Sequence, residues 1–334
     1  VGLSALAGSL VAFSANAVEL SVTGKTEITY TGTTDGNNGN KFGNGNAITF
    51  SGSGDMNGYT ATYTAVIQDM GQASSNTSET FASSSLMLDM GDMGTVGFDA
   101  GVGEFGASTI DDKMPYAYEE IWTYTGASNG LRAAGGANVL GYKNTFAGYT
   151  LSLEVDPGHF SSTTASKGGS GDGGNTGAGT DRSGYNYALT GSPIDGLNVG
   201  VGYGKEEDSG TAAANKQDDT YTTGFATYAV GGLTIGYQKS EGNGGTTATK
   251  SNNVDIMGAS FAINENLSVS INSMENEFDV PSGTNITEET DGIGVSYTLG
   301  SASIRMLRAE TTNVGGVSTA KDVEHTEVSL MLSF

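Results

Sequence analysis

Cysteine is absent from the 334 residues, which excludes disulfide staples and thiol chemistry and leaves the compartment open. Proline is scarce too, at 4 residues beside 53 glycines. With only 36% hydrophobic residues, that balance suits many short strands and turns rather than a large apolar core. Positive charge is thin: 14 Lys and Arg against 37 Asp and Glu leave a net charge of -23, which argues against a nucleic-acid partner. No stretch after the first 17 residues approaches the ~18 apolar residues of a membrane-spanning helix. Zinc-ligand spacing, a P-loop and a dinucleotide fingerprint are all missing, and strings such as Gly200-Val201-Gly202 precede no helix. His159 and His325 are the only histidines. The first follows the turn signal Asp156-Pro157-Gly158 and the second lies in a strand pattern, so a Ser-His-acid hydrolase has little support and no enzyme is expected.

The chain does contain alternation. In the last ten residues Val328, Leu330, Leu332 and Phe334 fall on one face of a two-residue period, with Glu327, Ser329 and Ser333 on the other. Val1 to Ala17 is different: small and apolar residues ending in Ala15-Asn16-Ala17, read as a truncated signal peptide that leaves one domain over 18–334. From there the same unit recurs. Leu20, Val22, Ile28 and Tyr30 oppose Ser21, Thr23, Lys25, Glu27 and Thr29; Leu151, Leu153 and Val155 oppose Ser152 and Glu154. Seven short turns alternate with eight long connectors, which gives about sixteen strands. At ~20 residues per strand and connector, the spacing suits tilted strands of ~9–11 residues that span a bilayer.

One apolar face per strand must meet something. The second faces are Gly, Ser, Thr and Asn, and charge concentrates in the long loops. A lipid-facing exterior around a wet interior explains this better than a sandwich, whose outer faces would be rich in charge. The fold expected is all-β: a closed transmembrane antiparallel barrel, because open edges in hydrocarbon leave unpaired backbone groups, with sixteen strands around an aqueous lumen. A secreted glycine-rich β-solenoid adhesin is the other class, but it would show uniform repeats.

The start Val18-Glu19-Leu20-Ser21-Val22-Thr23-Gly24-Lys25, the strand Gly94-Thr95-Val96-Gly97-Phe98 before the longest loop, and the terminal Phe334 resemble a Gram-negative general porin, most nearly the trimeric sixteen-stranded alphaproteobacterial type. The resemblance implies short periplasmic turns, long extracellular loops, a homotrimer in outer-membrane lipid and lipopolysaccharide, and passive diffusion of small hydrophilic solutes. It also implies that the terminal strand, through Phe334, Leu332 and Leu330, is read by the barrel-insertion machinery. A substrate-specific channel is the near alternative and would need an aromatic track along the lumen.

In such proteins the third long loop folds inward and sets its carboxylates opposite wall cations. Here that loop is 101–136, with Glu104, Asp111, Asp112, Glu119 and Glu120, Lys113 and Arg132 as its bases, and the only tryptophan, Trp122. A loop of this length is usually functional or disordered, and its aromatics argue for packing; a solvated outer loop is the other reading. On the wall, Lys25, Lys143 and Arg305 have inward parity, and Arg132 sits where the loop returns. Arg308, Lys205 and Lys239 have lipid-side parity and belong near the rim. Few lumen bases in a chain of this charge predict a cation preference. The outer clusters Glu206-Glu207-Asp208, Asp218-Asp219 and Glu288-Glu289 could hold Ca²⁺, though ordinary surface charge is favoured; no other cofactor or metal is expected.

Overall fold

The computed structural model describes residues 17–34, 40–69, 80–125, 137–157, 183–206, 218–243, 251–279 and 283–334. Arg132, His159, Glu207, Asp208 and all of the expected leader but Ala17 lie outside them.

Sixteen strands run in chain order: β1 (Ala17–Thr33), β2 (Phe42–Met56), β3 (Tyr59–Asp69), β4 (Thr80–Asp89), β5 (Thr95–Ala100), β6 (Ala137–Phe146), β7 (Tyr149–Asp156), β8 (Gly184–Ile194), β9 (Leu197–Glu206), β10 (Asp219–Val230), β11 (Leu233–Asn243), β12 (Ser251–Ala262), β13 (Leu267–Asp279), β14 (Ile286–Leu299), β15 (Ala302–Thr312) and β16 (Val323–Ser333). Each pairs antiparallel with its neighbours, and β1 pairs with β16 to close the barrel. The seam runs from Lys25 opposite Ser333 to Thr33 opposite His325. Beyond it the Phe334 amide donates to the Gly24 carbonyl at 2.9 Å, and the Gly24 amide to the Phe334 carbonyl at 2.7 Å. Among the described residues no helix is long and apolar enough to cross a membrane.

The period of two decides which way each side chain points. Outward residues are apolar and bare: Ile271 is 65% exposed and Leu299 64%. A surface of this extent needs lipid or another protein against it, not water. The seven tight connections fall where turn residues cluster. Asn57-Gly58 and Ala147-Gly148 join their strands in two residues, all four with positive φ, as hairpin turns that match strand twist require. The eight long connections leave from the opposite end.

The inner wall departs from expectation. It is not uniformly small and polar: Tyr221, Phe225, Val254, Ile256, Met274 and Leu307 point inward and are buried. They form one apolar cluster with Ala107, Ile110, Met114, Ile121 and Trp122 of the long loop after β5. A loop lying inside a water-filled bore needs an apolar seat, because burial of such side chains supplies roughly 1.5–3 kcal/mol each. Part of one inner face is greasy for that reason.

Candidate functional site

The loop after β5 starts with a turn built on Asp99, whose carboxylate accepts from the amides of Val102 at 2.7 Å and Glu104 at 2.5 Å. Phe105 then presses its ring, 0% exposed, onto Gly141 of β6; a Cβ there would lie 2.0 Å from the ring. The chain turns at Gly106 with φ of +59°. The Gly106 amide donates to Ser152 Oγ at 2.8 Å and the Ala107 amide to Asn186 Oδ1 at 2.7 Å. Asn186 is itself oriented by donating Nδ2 to Glu154 Oε1 at 3.1 Å. A short 3-10 turn, Gly106–Ile110, follows.

From there the loop follows the inner wall. Ile110 lies over Gly202 of β9, and Pro115 over Gly236 of β11 and Gly258 of β12. Asn272 Nδ2 of β13 donates to the Pro115 carbonyl at 3.0 Å, and the Ala117 amide to Ser270 Oγ at 3.0 Å. Ile121 enters the space above Gly292 of β14. Tyr124 stacks on His325 of β16 with centroids 4.3 Å apart. Inward glycines and hydroxyls, which looked like general lumen lining, are thus the groove in which the loop lies.

Tyr118 ties this path to the seam. Its hydroxyl lies 2.5 Å from Glu327 Oε1 of β16 and 3.2 Å from Glu27 Oε1 of β1, and donates its one proton between them. Arg305 of β15 stacks over the Tyr118 ring at 4.4 Å, ion-pairs with Glu27 at 2.5 Å and donates Nε to Ser329 Oγ at 3.2 Å. Replacing Tyr118 with phenylalanine keeps the stack but removes the hydroxyl, a charge-assisted hydrogen bond worth roughly 1.5–3 kcal/mol. The loop's end should loosen, and open-channel current noise should rise with little change in mean conductance. A noise spectrum identical to that of the unaltered protein would show that this hydroxyl holds nothing.

The residues singled out from sequence divide clearly. Glu104 of the loop meets Lys143 Nζ of the wall at 2.9 Å. Arg305 points inward, and its carboxylate partner is the wall's Glu27 and not a loop acid. Lys25 has inward parity, sits two residues nearer the short-turn end than Glu27, and makes no ion pair among the described residues. Asp111 and Asp112 are exposed in the bore, and Glu119 and Glu120 half-buried.

Two of these acids hold protons unusually well. Asp112, only partly screened from water, is raised to about 8 by that partial desolvation, by its hydrogen bond with Glu120, and by the charges of Asp111 and Glu120, with Lys113 opposing. Glu119 is raised to about 7 by burial and by Glu327, Glu27 and Glu120, with Arg305 opposing. Glu120, although burial opposes it, is held low by hydrogen bonds from Asp112, from its own backbone and from Thr123. Asp112 and Glu120 therefore act as a pair sharing one proton.

Sequence reasoning passed over Glu27, Glu327 and Tyr118. Parity was the available signal, since Glu27 and Glu327 share the inward faces of Lys25 and Ser329. Of the residues assigned lipid-side parity, Arg308 pairs with Glu324 at 3.0 Å, Lys239 with Asp255 at 3.0 Å and Lys205 with Asp218 at 2.8 Å. Glu288, weighed as a calcium ligand, is instead buried, with Oε2 accepting from the Gly315 amide. Among the described residues no three acidic or histidine side chains come together to hold a metal ion.

A family model described as Gram-negative porin matches residues 2–308. Solved structures share the architecture at low identity. Salmonella typhi OmpF, in complex with daunomycin, is 14% identical with a TM-score of 0.73, covering 94% of this chain and 97% of its own. A loop-deletion mutant of OmpT, an outer membrane protein of Vibrio cholerae, is 11% identical with a TM-score of 0.70 over 95% of this chain and 99% of its own. A multiply substituted Rhodobacter blastica porin is 15% identical with a TM-score of 0.61 over 95% and 100%. No curated protein matches the chain.

Proposed function

Because the chain belongs to the Gram-negative porin family, we propose that its constriction makes it a cation-preferring member of that family. The protein is an outer-membrane diffusion channel: a closed sixteen-strand barrel with a polar bore, driven by concentration gradients alone. One observation supports the cation preference. In the described passage the carboxylates Glu27, Glu104, Asp111, Asp112, Glu119, Glu120 and Glu327 outnumber the bases Lys25, Lys113, Lys143 and Arg305, and two of those bases are paired, Lys143 with Glu104 at 2.9 Å and Arg305 with Glu27 at 2.5 Å.

A bore with low-dielectric walls focuses the potential of its excess charge, and acidic linings favour cations. In a salt gradient across a planar bilayer, the zero-current potential should take the sign of cation selectivity and shrink as both salts are raised, because the Debye length falls to ~10 Å at 0.1 M. An anion-selective sign would overturn the proposal.

Further parts of the reading rest on the family. A relative, OmpT of Vibrio cholerae, was solved in a trimer form, and a homotrimer is proposed here. The short turns would face the periplasm and the long loops the exterior, against lipopolysaccharide. Residues 1–17 are proposed as a leader. The strand face carrying Leu330, Leu332 and Phe334, outward and exposed, is proposed as the part that insertion machinery reads.

A further inference from the structure

Of the bore's described cations, Lys143 and Arg305 are bound to carboxylates, and Lys25 and Lys113 are not. Lys113 lines a cavity. The recess has a volume of about 430 Å³, on the short-turn side of the loop against β7 to β10. It lies within the about 300–1,000 Å³ range of small-molecule sites. Its chemistry is consistent throughout. Thr109 from the loop, Thr150 from β7 and Thr190 from β8 bring hydroxyls, Asn198 from β9 brings an amide, and the Phe225 ring from β10 forms an apolar patch. Lys113 is the only charged residue in the lining, and no acid is present.

That absence matters in a chain of net charge -23 whose neighbouring loop residues, Asp111 and Asp112, are both acidic. A single ammonium among hydroxyls and one amide can pair a carboxylate by a charge-assisted hydrogen bond. The surrounding groups can exchange hydrogen bonds with solute hydroxyls, and the ring can cover a C–H face. The bore's excess negative charge would repel anions from this passage, so a local cation is what lets one linger.

We propose that this recess is a weak binding site for small polyhydroxylated monocarboxylates, of the sugar-acid class, on the short-turn side of the constriction. The proposal rests on the chain being a diffusion channel. Binding must be shallow enough to allow release, since a pore conducts only when a solute can leave as well as enter.

The test is single-channel current in KCl with sodium gluconate added to one side, and glucose as the uncharged counterpart. Gluconate should cause a saturable, concentration-dependent partial block, stronger when added on the short-turn side, while glucose at the same concentration should not. Lys113→Gln should raise the half-blocking concentration about tenfold, the scale of one charge-assisted hydrogen bond, and Lys113→Arg should largely restore it. Thr190→Val should weaken the block without changing its dependence on the carboxylate. Equal effects of glucose and gluconate, or a block that Lys113→Gln leaves intact, would overturn the proposal. Ordinary KCl conductance without any saturable block sinks this site alone, whereas failure to form a conducting pore would sink the channel on which it rests.

Discussion

Replacing Gly106 with valine should widen the channel, with higher unit conductance and faster entry of solutes near the size limit in liposome swelling. Gly106 has φ of +59°, where an L side chain costs roughly 1–2 kcal/mol. A Cβ at this position would also fall 1.8 Å from Asn186 Oδ1 and 2.7 Å from Glu154 Cβ. Neither neighbour can withdraw cheaply, because Asn186 accepts from Ala107 and donates to Glu154 in one buried relay. Displacement breaks that bond and the one from Gly106 to Ser152, at about 1 kcal/mol each. The first lodgement of the loop on the wall is then lost, while the strand ladder around it is untouched. Circular dichroism should therefore show an unchanged barrel. Gly45 of β2 supplies the control, since a Cβ there meets nothing within 4 Å, and Gly45→Ala should conduct as the unaltered protein does. Unchanged conductance in Gly106→Val would mean that this lodgement does not limit the opening.

The second large effect is on selectivity as a function of pH. Asp112, raised to about 8, and Glu119, raised to about 7, are both protonated and neutral below about pH 6. Raising the pH therefore adds negative charge to the bore, first at Glu119 and then at Asp112, and the cation-over-anion permeability ratio should climb between pH 6 and 9. Coulomb's law in water gives about 0.4 kcal/mol for an ion ~10 Å from a unit charge, with opposite sign for anions. Each ionisation can thus change the ratio by up to about fourfold before salt screens it. Glu119→Gln should remove the lower part of the climb and Asp112→Asn the upper part. Reversal potentials that stay flat across this range, or that drift towards anions, would refute the assignment.

Much of the architecture was legible from the residues because a barrel strand obeys one rule, a period of two, and obeys it sixteen times. The turn at Asn57-Gly58, the outward parity of Arg308 and the inward parity of Lys143 all follow from counting along the chain. Counting could not tell water from protein inside the bore. Leu307 and Val254 have inward parity, yet nothing in their own neighbourhoods says that loop residues more than a hundred positions away will cover them. The pairing of Arg305 with Glu27 was hidden for the same reason. The two residues are 278 positions apart, and they meet only because the first and last strands do. Partners joined by closure are invisible to any local pattern.

That closure has a consequence for the order of assembly. All fifteen hairpin and loop ladders join neighbours along the chain at modest separation, β5 and β6 being the most widely parted, whereas the sixteenth, β1–β16, brings Thr33 to His325. The entropy of bringing chain ends together grows with the logarithm of the intervening length, so this contact costs about 3 kcal/mol more than one across a ten-residue hairpin. Neighbouring ladders can zip progressively while the polypeptide is still an open curl. The Tyr118 clamp, which needs Glu27 and Glu327 side by side, can only tighten after the curl has joined end to end. The loop's tie to the seam is fastened last.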